Sequence, residues 1–99
     1  MGDKKIRWSK LADKQLLNII DYIEADSIQN AKKFAADVLK LVNKLPANPW
    51  HYPPDKFKNE NDGSYRALEI HHYRVAYRIK ADQIIILRLR HTKMTPKPY

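Results

Sequence analysis

The sequence predicts a single α+β domain in which an antiparallel helical hairpin packs on one face of an antiparallel sheet, in the order β-α-α-β-β-β. Three observations predict it. Residues 10–45 carry apolar side chains at three- and four-residue spacing, residues 64–91 break into three short runs rich in Tyr, Val and Ile, and a stretch rich in proline and asparagine lies between them. Helices and strands segregated in this way pack as two layers around one core. Ninety-nine residues bury only one modest core, so a single domain over 1–99 is expected.

Each element has its own local cause. In residues 4–8, Ile6 and Trp8 alternate with Lys5 and Arg7, which suits a short strand. Ser9 can cap a first helix by accepting a hydrogen bond from an orphan backbone N–H. Ala12, Leu16, Ile19, Ile20 and Ile23 form its apolar stripe, and the helix is predicted to run to about Ala25. Asp26, with Gln29 three residues later, predicts the start of a second helix. Its stripe is Ala31, Phe34, Ala35, Val38, Leu41, Val42 and Leu45, and Pro46 ends it. From Pro46 to Gly63 there is no period; Trp50, Tyr52 and Phe57 predict a connection that packs against the domain. Trp8, Trp50 and Tyr52 read as packing residues and not as base-stacking platforms. Ser64–His71, Tyr73–Lys80 and Gln83–His91 then read as a three-stranded meander.

Composition narrows the function classes. The chain has 19 Lys and Arg against 11 acids, a net charge of +8 and an isoelectric point near 9.8. Such a surface attracts polyanions: nucleic acid, the ribosome or an acidic protein. The absence of cysteine excludes disulfides and thiolate chemistry. No apolar run is long enough to span a membrane, no signal-peptide pattern follows the first lysines, and a cytoplasmic protein is expected. His51, His71 and His72 offer no converging ligand set, so neither a metal site nor a cofactor is expected.

Alternation assigns the strand residues to faces. Leu68, Ile70, Val75, Tyr77, Ile79, Ile85, Leu87 and Leu89 form one apolar set, predicted to pack on the helices. The opposite face receives Tyr65, Ala67, Glu69, Arg74, Ala76, Arg78, Ile84, Ile86, Arg88 and Arg90. A two-residue turn at His71–His72 sets Glu69 across from Arg74. A three-residue turn at Ala81–Gln83 sets Arg74 across from Arg90 and Ala76 across from Arg88. Facing arginines repel unless an anion lies over them or a carboxylate intervenes. Two readings follow: a polyanion site left open by small Ala67 and Ala76, or an ion-pair network of Glu69 with Arg74 and Arg90. His91 adjoins Arg90; positive neighbours are expected to depress its pKa, giving a neutral base for a ribose 2′-OH beside arginines that stabilise the phosphate. A hydrogen-bonding structural role for His91 is the alternative.

The segment YRALEIHHYRVAYRIKADQIIILRLRH resembles the last three strands of RelE/ParE-superfamily toxins, with Tyr73-Arg74-Val75-Ala76-Tyr77 similar to their YRLVY-like strand. Asp21-Tyr22-Ile23 resembles part of the first helix of ParE-type members, and the ending RLRHTKM is also similar to ParE-type sequences. The resemblance implies the toxin of a bacterial type II toxin–antitoxin system, partnered by an acidic antitoxin. It implies two activities. RelE-like members cleave mRNA in the ribosomal A site without a metal, whereas ParE-like members inhibit DNA gyrase without hydrolysis. On the nuclease side, Arg74 matches the strand arginine used on the scissile phosphate, and His91 falls near the histidine of YoeB-type toxins. Tyr99 stands for the family's C-terminal tyrosine, several residues late. Arg90 joins these as a catalytic candidate. Arg66, Arg78, Arg88 and Lys93 are the expected phosphate-binding residues, with Arg66 on the strand that holds catalytic lysines in RelE. A ribosome-associated mRNA endoribonuclease is the leading expectation. A gyrase inhibitor and a non-toxic RNA- or protein-binding module of the same fold are the alternatives.

Overall fold

A computed structural model of the chain describes residues 4–94. Strand β1 (Lys5–Trp8) leads into helix α1 (Lys10–Asp26), followed by α2 (Ile28–Lys44), a 3₁₀ turn (Leu45–Ala47), and strands β2 (Tyr65–Ile70), β3 (Tyr73–Ile79) and β4 (Gln83–His91). The expected element order is present. The sheet is mixed, with order β1-β4-β3-β2: the three C-terminal strands form the antiparallel meander, and β1 pairs parallel with β4.

Ser9 caps α1 as expected, its hydroxyl accepting from the Ala12 N–H at 3.0 Å while donating to the Leu87 carbonyl at 2.8 Å. The cap of the second helix differs from the expected Asp26. Asp26 is the last residue of α1, and Ser27 both ends α1 and caps α2, accepting from the Asn30 N–H. Its extended backbone (φ −155°, ψ 115°) makes the hairpin a one-residue joint. Helix α2 buries Ala31, Phe34, Val38 and Val42, whereas α1 buries Ala12 alone among its residues and lays Leu16, Ile19, Ile20 and Ile23 against the core from a half-exposed position.

The two strand turns depart from expectation in one case only. His71 and His72 both take positive φ (49° and 68°), the geometry of a tight two-residue hairpin, and Glu69 lies across from Arg74. The β3–β4 turn is tighter than the expected three residues, because the Lys80 N–H already bonds to the Gln83 carbonyl. Ile79 pairs with Ile84 and Tyr77 with Ile86, and a bulge next to Tyr77 then shifts the ladder, so that Ala76 faces Arg88 and Arg74 faces Arg90. Leu87 is the extra residue. A one-residue slip exchanges the faces of a strand, which corrects the face assignment in β4. Ile84 and Ile86 lie in the core with Tyr77, Ile79 and Leu89; Ile85 and Leu87 do not belong to that cluster.

Candidate functional site

Arg74 and Arg90 stand on one side of the sheet as adjacent cross-strand partners. That face is not open. The connection after α2 passes along the outer edge of β2, where Asp55 N–H donates to the Tyr65 carbonyl and Ala67 N–H donates to the Pro53 carbonyl, with an isolated antiparallel bridge between Pro54 and Arg66. The chain then carries Asp55 and Phe57 over the arginines. Ala67 and Ala76, expected to keep the face clear, are 3% and 4% exposed. Small side chains there let the connection pack close.

Beneath this cover both terminal nitrogens of Arg74 are engaged. One terminal nitrogen donates to Asp55 Oδ1 at 2.8 Å and the other to Glu69 Oε2 at 2.9 Å. Its guanidinium and that of Arg90 lie 4.9 and 4.8 Å from the centre of the Phe57 ring. The Arg74 Nε–H is the only buried side-chain polar atom among the described residues without a protein partner. The cavity bounded by Asp55, Phe57, Arg74, Ala76, Arg88 and Arg90 measures about 10 Å³, close to the space one water requires. A phosphodiester does not fit it. Repulsion between facing arginines is thus answered from inside the protein, by Glu69 as in the ion-pair reading and by Asp55, which that reading did not contain. Burial, then the charges of Arg74 and Arg88, lowers the pKa of Arg90 from its usual value, and its guanidinium donates to the carbonyls of His91 and Met94.

His91 closes β4. Its ring stacks on His72 with centroids 6.4 Å apart and meets Tyr73 edge-on at 5.1 Å. Nδ1 accepts the Lys93 backbone N–H at 3.1 Å. In a neutral imidazole the other nitrogen then carries the hydrogen and acts as a donor, the wrong role for a base receiving a 2′-OH proton. Arg66 is also committed: it donates to the carbonyls of Gly63 (2.9 Å) and Tyr52 (2.8 Å) and stacks on Trp50. Arg78 lies over Tyr65, with its Nε near the Ser64 hydroxyl. Arg88 borders the small cavity and Lys93 is exposed. Tyr99 lies outside the described residues. The site therefore brings Arg74, Arg90 and Arg88 together and leaves Arg66 and Arg78 at the β2 side. Phe57 packs on the domain as expected, but its place over Arg74 and Arg90 and the role of Asp55 escape sequence reading.

A second concavity lies on the far side of β4. It is a groove of about 480 Å³ between α1 and the end of the strand, lined by Gln15, Asn18, Ile19 and Tyr22 on the helix and by residues 88–91, Tyr73 and Met94 on the sheet side. No cluster of three or more metal-ligating side chains occurs among the described residues.

Comparison with known proteins gives a consistent picture. The family model described as the ParE toxin of the type II toxin–antitoxin system parDE matches residues 6–96. Among solved structures, the chain is similar to one described as the chromosomal ParDE toxin–antitoxin system of P. aeruginosa (21% identity, 89% of this chain and 95% of that one, TM-score 0.69). It is also similar to the YoeB dimer of Staphylococcus aureus (19%, 91% and 98%, TM-score 0.59) and to a chain of the RelBE2 toxin–antitoxin complex of Mycobacterium tuberculosis (19%, 92% and 93%, TM-score 0.58). At these identities the structural likeness speaks for the fold. No curated protein matches the sequence significantly.

Proposed function

The chain belongs to the ParE toxin family of type II toxin–antitoxin systems, and from that premise we propose that it disables its target by binding, with DNA gyrase as the target. One observation carries this reading: the guanidinium of Arg74, the residue a nuclease of this fold would turn on the scissile phosphate, is held by Asp55 and Glu69 beneath Phe57. Removing that cover would strip a buried cation of its partner, a cost of roughly 3–5 kcal/mol. The His91 hydrogen bond to Lys93 supports the same side, since it leaves the ring a donor. The ParE description of the matching family agrees with the gyrase-type activity implied by the sequence resemblance.

The proposed partner is an acidic antitoxin, in keeping with the toxin–antitoxin systems named for two of the similar structures and with a chain of net charge +8. The proposed location is the cytoplasm, where gyrase and ribosomes are; no helix among the described residues is long and apolar enough to cross a membrane. Two assays on the purified chain test the mechanism. Inhibition of gyrase supercoiling, without breaks in mRNA on translating ribosomes, is the expected result. Ribosome-dependent mRNA cleavage that His91→Gln abolishes, with supercoiling untouched, would establish the endoribonuclease instead. Growth unaffected by expression alone would leave only the non-toxic binding module.

A further inference from the structure

The helical hairpin has two faces, and the chain itself covers only the inner one. Helical residues advance by about 100° each. Leu17 therefore lies about 140° around α1 from Tyr22, which lines the groove. Leu39 lies about 160° around α2 from Asp37, whose carboxylate reaches His71 at the sheet. Both leucines stand on the outer face, 62% and 44% exposed. On α2, Ile28, Ala35 and Leu39 recur at seven and four residues and form one row. Ile28 is exposed at its start and Ala36 beside its middle. Each helix thus presents apolar side chains outward, with small alanines near the leucines.

Charge divides at the joint between the helices. In the half of the hairpin nearer Ser27, α1 carries Asp21, Glu24 and Asp26 and no lysine, whereas α2 carries Lys32 and Lys33 and no acid. Lys33 pairs with Asp37 of its own helix. Asp21, Glu24, Asp26 and Lys32 are exposed and form no ion pair among the described residues. An acidic and a basic surface therefore lie side by side without neutralising each other. Residues 10–44 hold six lysines against five acids, while the rest of the chain has 13 Lys and Arg against six acids. The outer face is thus the place where two copies of this cationic chain approach with least repulsion, and a polyanion gains little there.

We propose that this face pairs with the same face of a second copy, about a two-fold axis running along the helices, so that α1 of each copy lies on α2 of the other. Such an axis fixes the register: each residue of α1 meets the partner's α2 at the same distance from Ser27. Asp21, six residues before Ser27, meets the partner's Lys32, five after it. Leu17, ten before, meets the partner's Ala36 and Leu39, nine and twelve after. Like charges meet only toward the open end, where Lys10 and Lys14 approach the partner's Lys44 and Lys40. An axis across the helices would instead set Lys32 and Lys33 against the partner's Lys40, and the acids of α1 would lose both lysines. Two 17-residue helices side by side offer a face about 25 Å long and about 20 Å wide, about 500 Å² per copy. About 1,000 Å² in the pair is near the lower bound for a specific interface, so the dimer is a weak one.

Sedimentation velocity of the whole chain over a wide concentration range at low salt tests this. The variants are Leu17→Glu, Asp21→Lys, Lys32→Glu, the double variant Asp21→Lys/Lys32→Glu, and Met94→Glu as a control beside the groove. All four positions are exposed, so the variants fold. The expected result is a monomer–dimer equilibrium that Leu17→Glu weakens by about tenfold or more. Asp21→Lys and Lys32→Glu should each weaken it severalfold, the double variant should restore it, and Met94→Glu should leave it unchanged. Restoration by the double variant is an outcome that misfolding cannot produce. A monomer at every concentration overturns the proposal, as does a double variant no better than the singles. A dimer that Met94→Glu dissociates and Leu17→Glu does not places the second copy in the groove and overturns it as well. A monomer whose complex with the product of the adjacent reading frame is weakened by Leu17→Glu assigns the face to that protein instead. None of these results bears on the toxin reading, which the supercoiling assay tests separately.

Discussion

Asp55 Oδ1 lies 2.8 Å from a terminal nitrogen of Arg74 across 19 residues of chain, and the two side chains are only 2% and 10% exposed. The same carboxylate oxygen also accepts the Phe57 backbone N–H at 3.0 Å. One side chain thus shapes the connection and neutralises the arginine beneath it, so the cover and the charge it hides are a single structural unit.

Asp55→Ala is therefore expected to lower stability by about 3 kcal/mol, near the lower end for a broken buried pair because Glu69 still holds Arg74. Glu69→Ala should cost at most about 1 kcal/mol, since the Glu69 side chain is 55% exposed and water can replace it. Urea denaturation of both variants checks the ranking. Equal losses would mean that Asp55 is not the principal counter-ion.

Phe57 covers two guanidinium groups at once. Replacing it with alanine should cost about 1–2 kcal/mol through lost cation–π contact. It should also make Arg74 and Arg90 accessible, so that a fluorescent single-stranded oligonucleotide binds Phe57→Ala more tightly than wild type at low salt. Anisotropy titration reads this directly. Unchanged binding would show that the cover is not what keeps polyanions off this face.

Much of this arrangement was legible from residue pattern, and what was not has an identifiable cause. Alternation and two short turns were enough to put Arg74 opposite Arg90. The register at that end came out correctly because a two-residue turn followed by a bulge displaces the ladder as far as the three-residue turn would. At the other end the two solutions differ, and Ile84 and Ile86 are core residues as a result. The bulge is held by contacts from the α1 cap: Ser9 N–H donates to the Ile86 carbonyl and its hydroxyl to that of Leu87. A contact between residue 9 and residue 87 leaves no trace in local periodicity. The same is true of Asp55, whose role depends on where an aperiodic connection crosses the sheet.

Ser9 and Ser27 offer a matched comparison of caps. Ser27→Ala removes one capping hydrogen bond at an exposed joint, an expected loss of about 1 kcal/mol. Ser9→Ala removes a cap and a second bond to the bulged strand, an expected loss of about 2 kcal/mol. Thermal denaturation should order them accordingly. A Ser9 variant as stable as the Ser27 variant would mean that the bulge does not depend on Ser9.

His71 is tied to α2 through Asp37, at 2.7 Å, with Lys33 at 3.2 Å on the same carboxylate oxygen. Hydrogen bonds from His71 and then Lys33 hold the Asp37 pKa below its usual 3.8. A depressed carboxyl stabilises the fold above its unfolded pKa and ceases to do so as pH falls through the folded one. Wild type should therefore exceed Asp37→Asn in stability above pH 3.8, and the difference should close in more acidic solution. Parallel unfolding curves in acid and at neutrality would refute the link.

Tyr77 supplies the opposite sign at alkaline pH. Its side chain is fully buried, its hydroxyl donates to the Pro49 carbonyl at 2.9 Å, and burial pushes its pKa up to about 12 from 10.0. The neutral phenol belongs to the folded state, so its contribution is complete below pH 10 and is lost as pH rises from 10 toward 12. Spectrophotometric titration of the six tyrosines should show a late-titrating fraction that Tyr77→Phe removes. Tyr73, raised by burial to a lesser degree, should persist in that variant as a smaller delay. The Phe variant should also lose about 1 kcal/mol at neutral pH for the missing hydrogen bond, while its stability declines less steeply above pH 10 than that of wild type. A phenol at position 77 that ionises with the exposed tyrosines would mean that the connection at Pro49 does not seal this corner of the core.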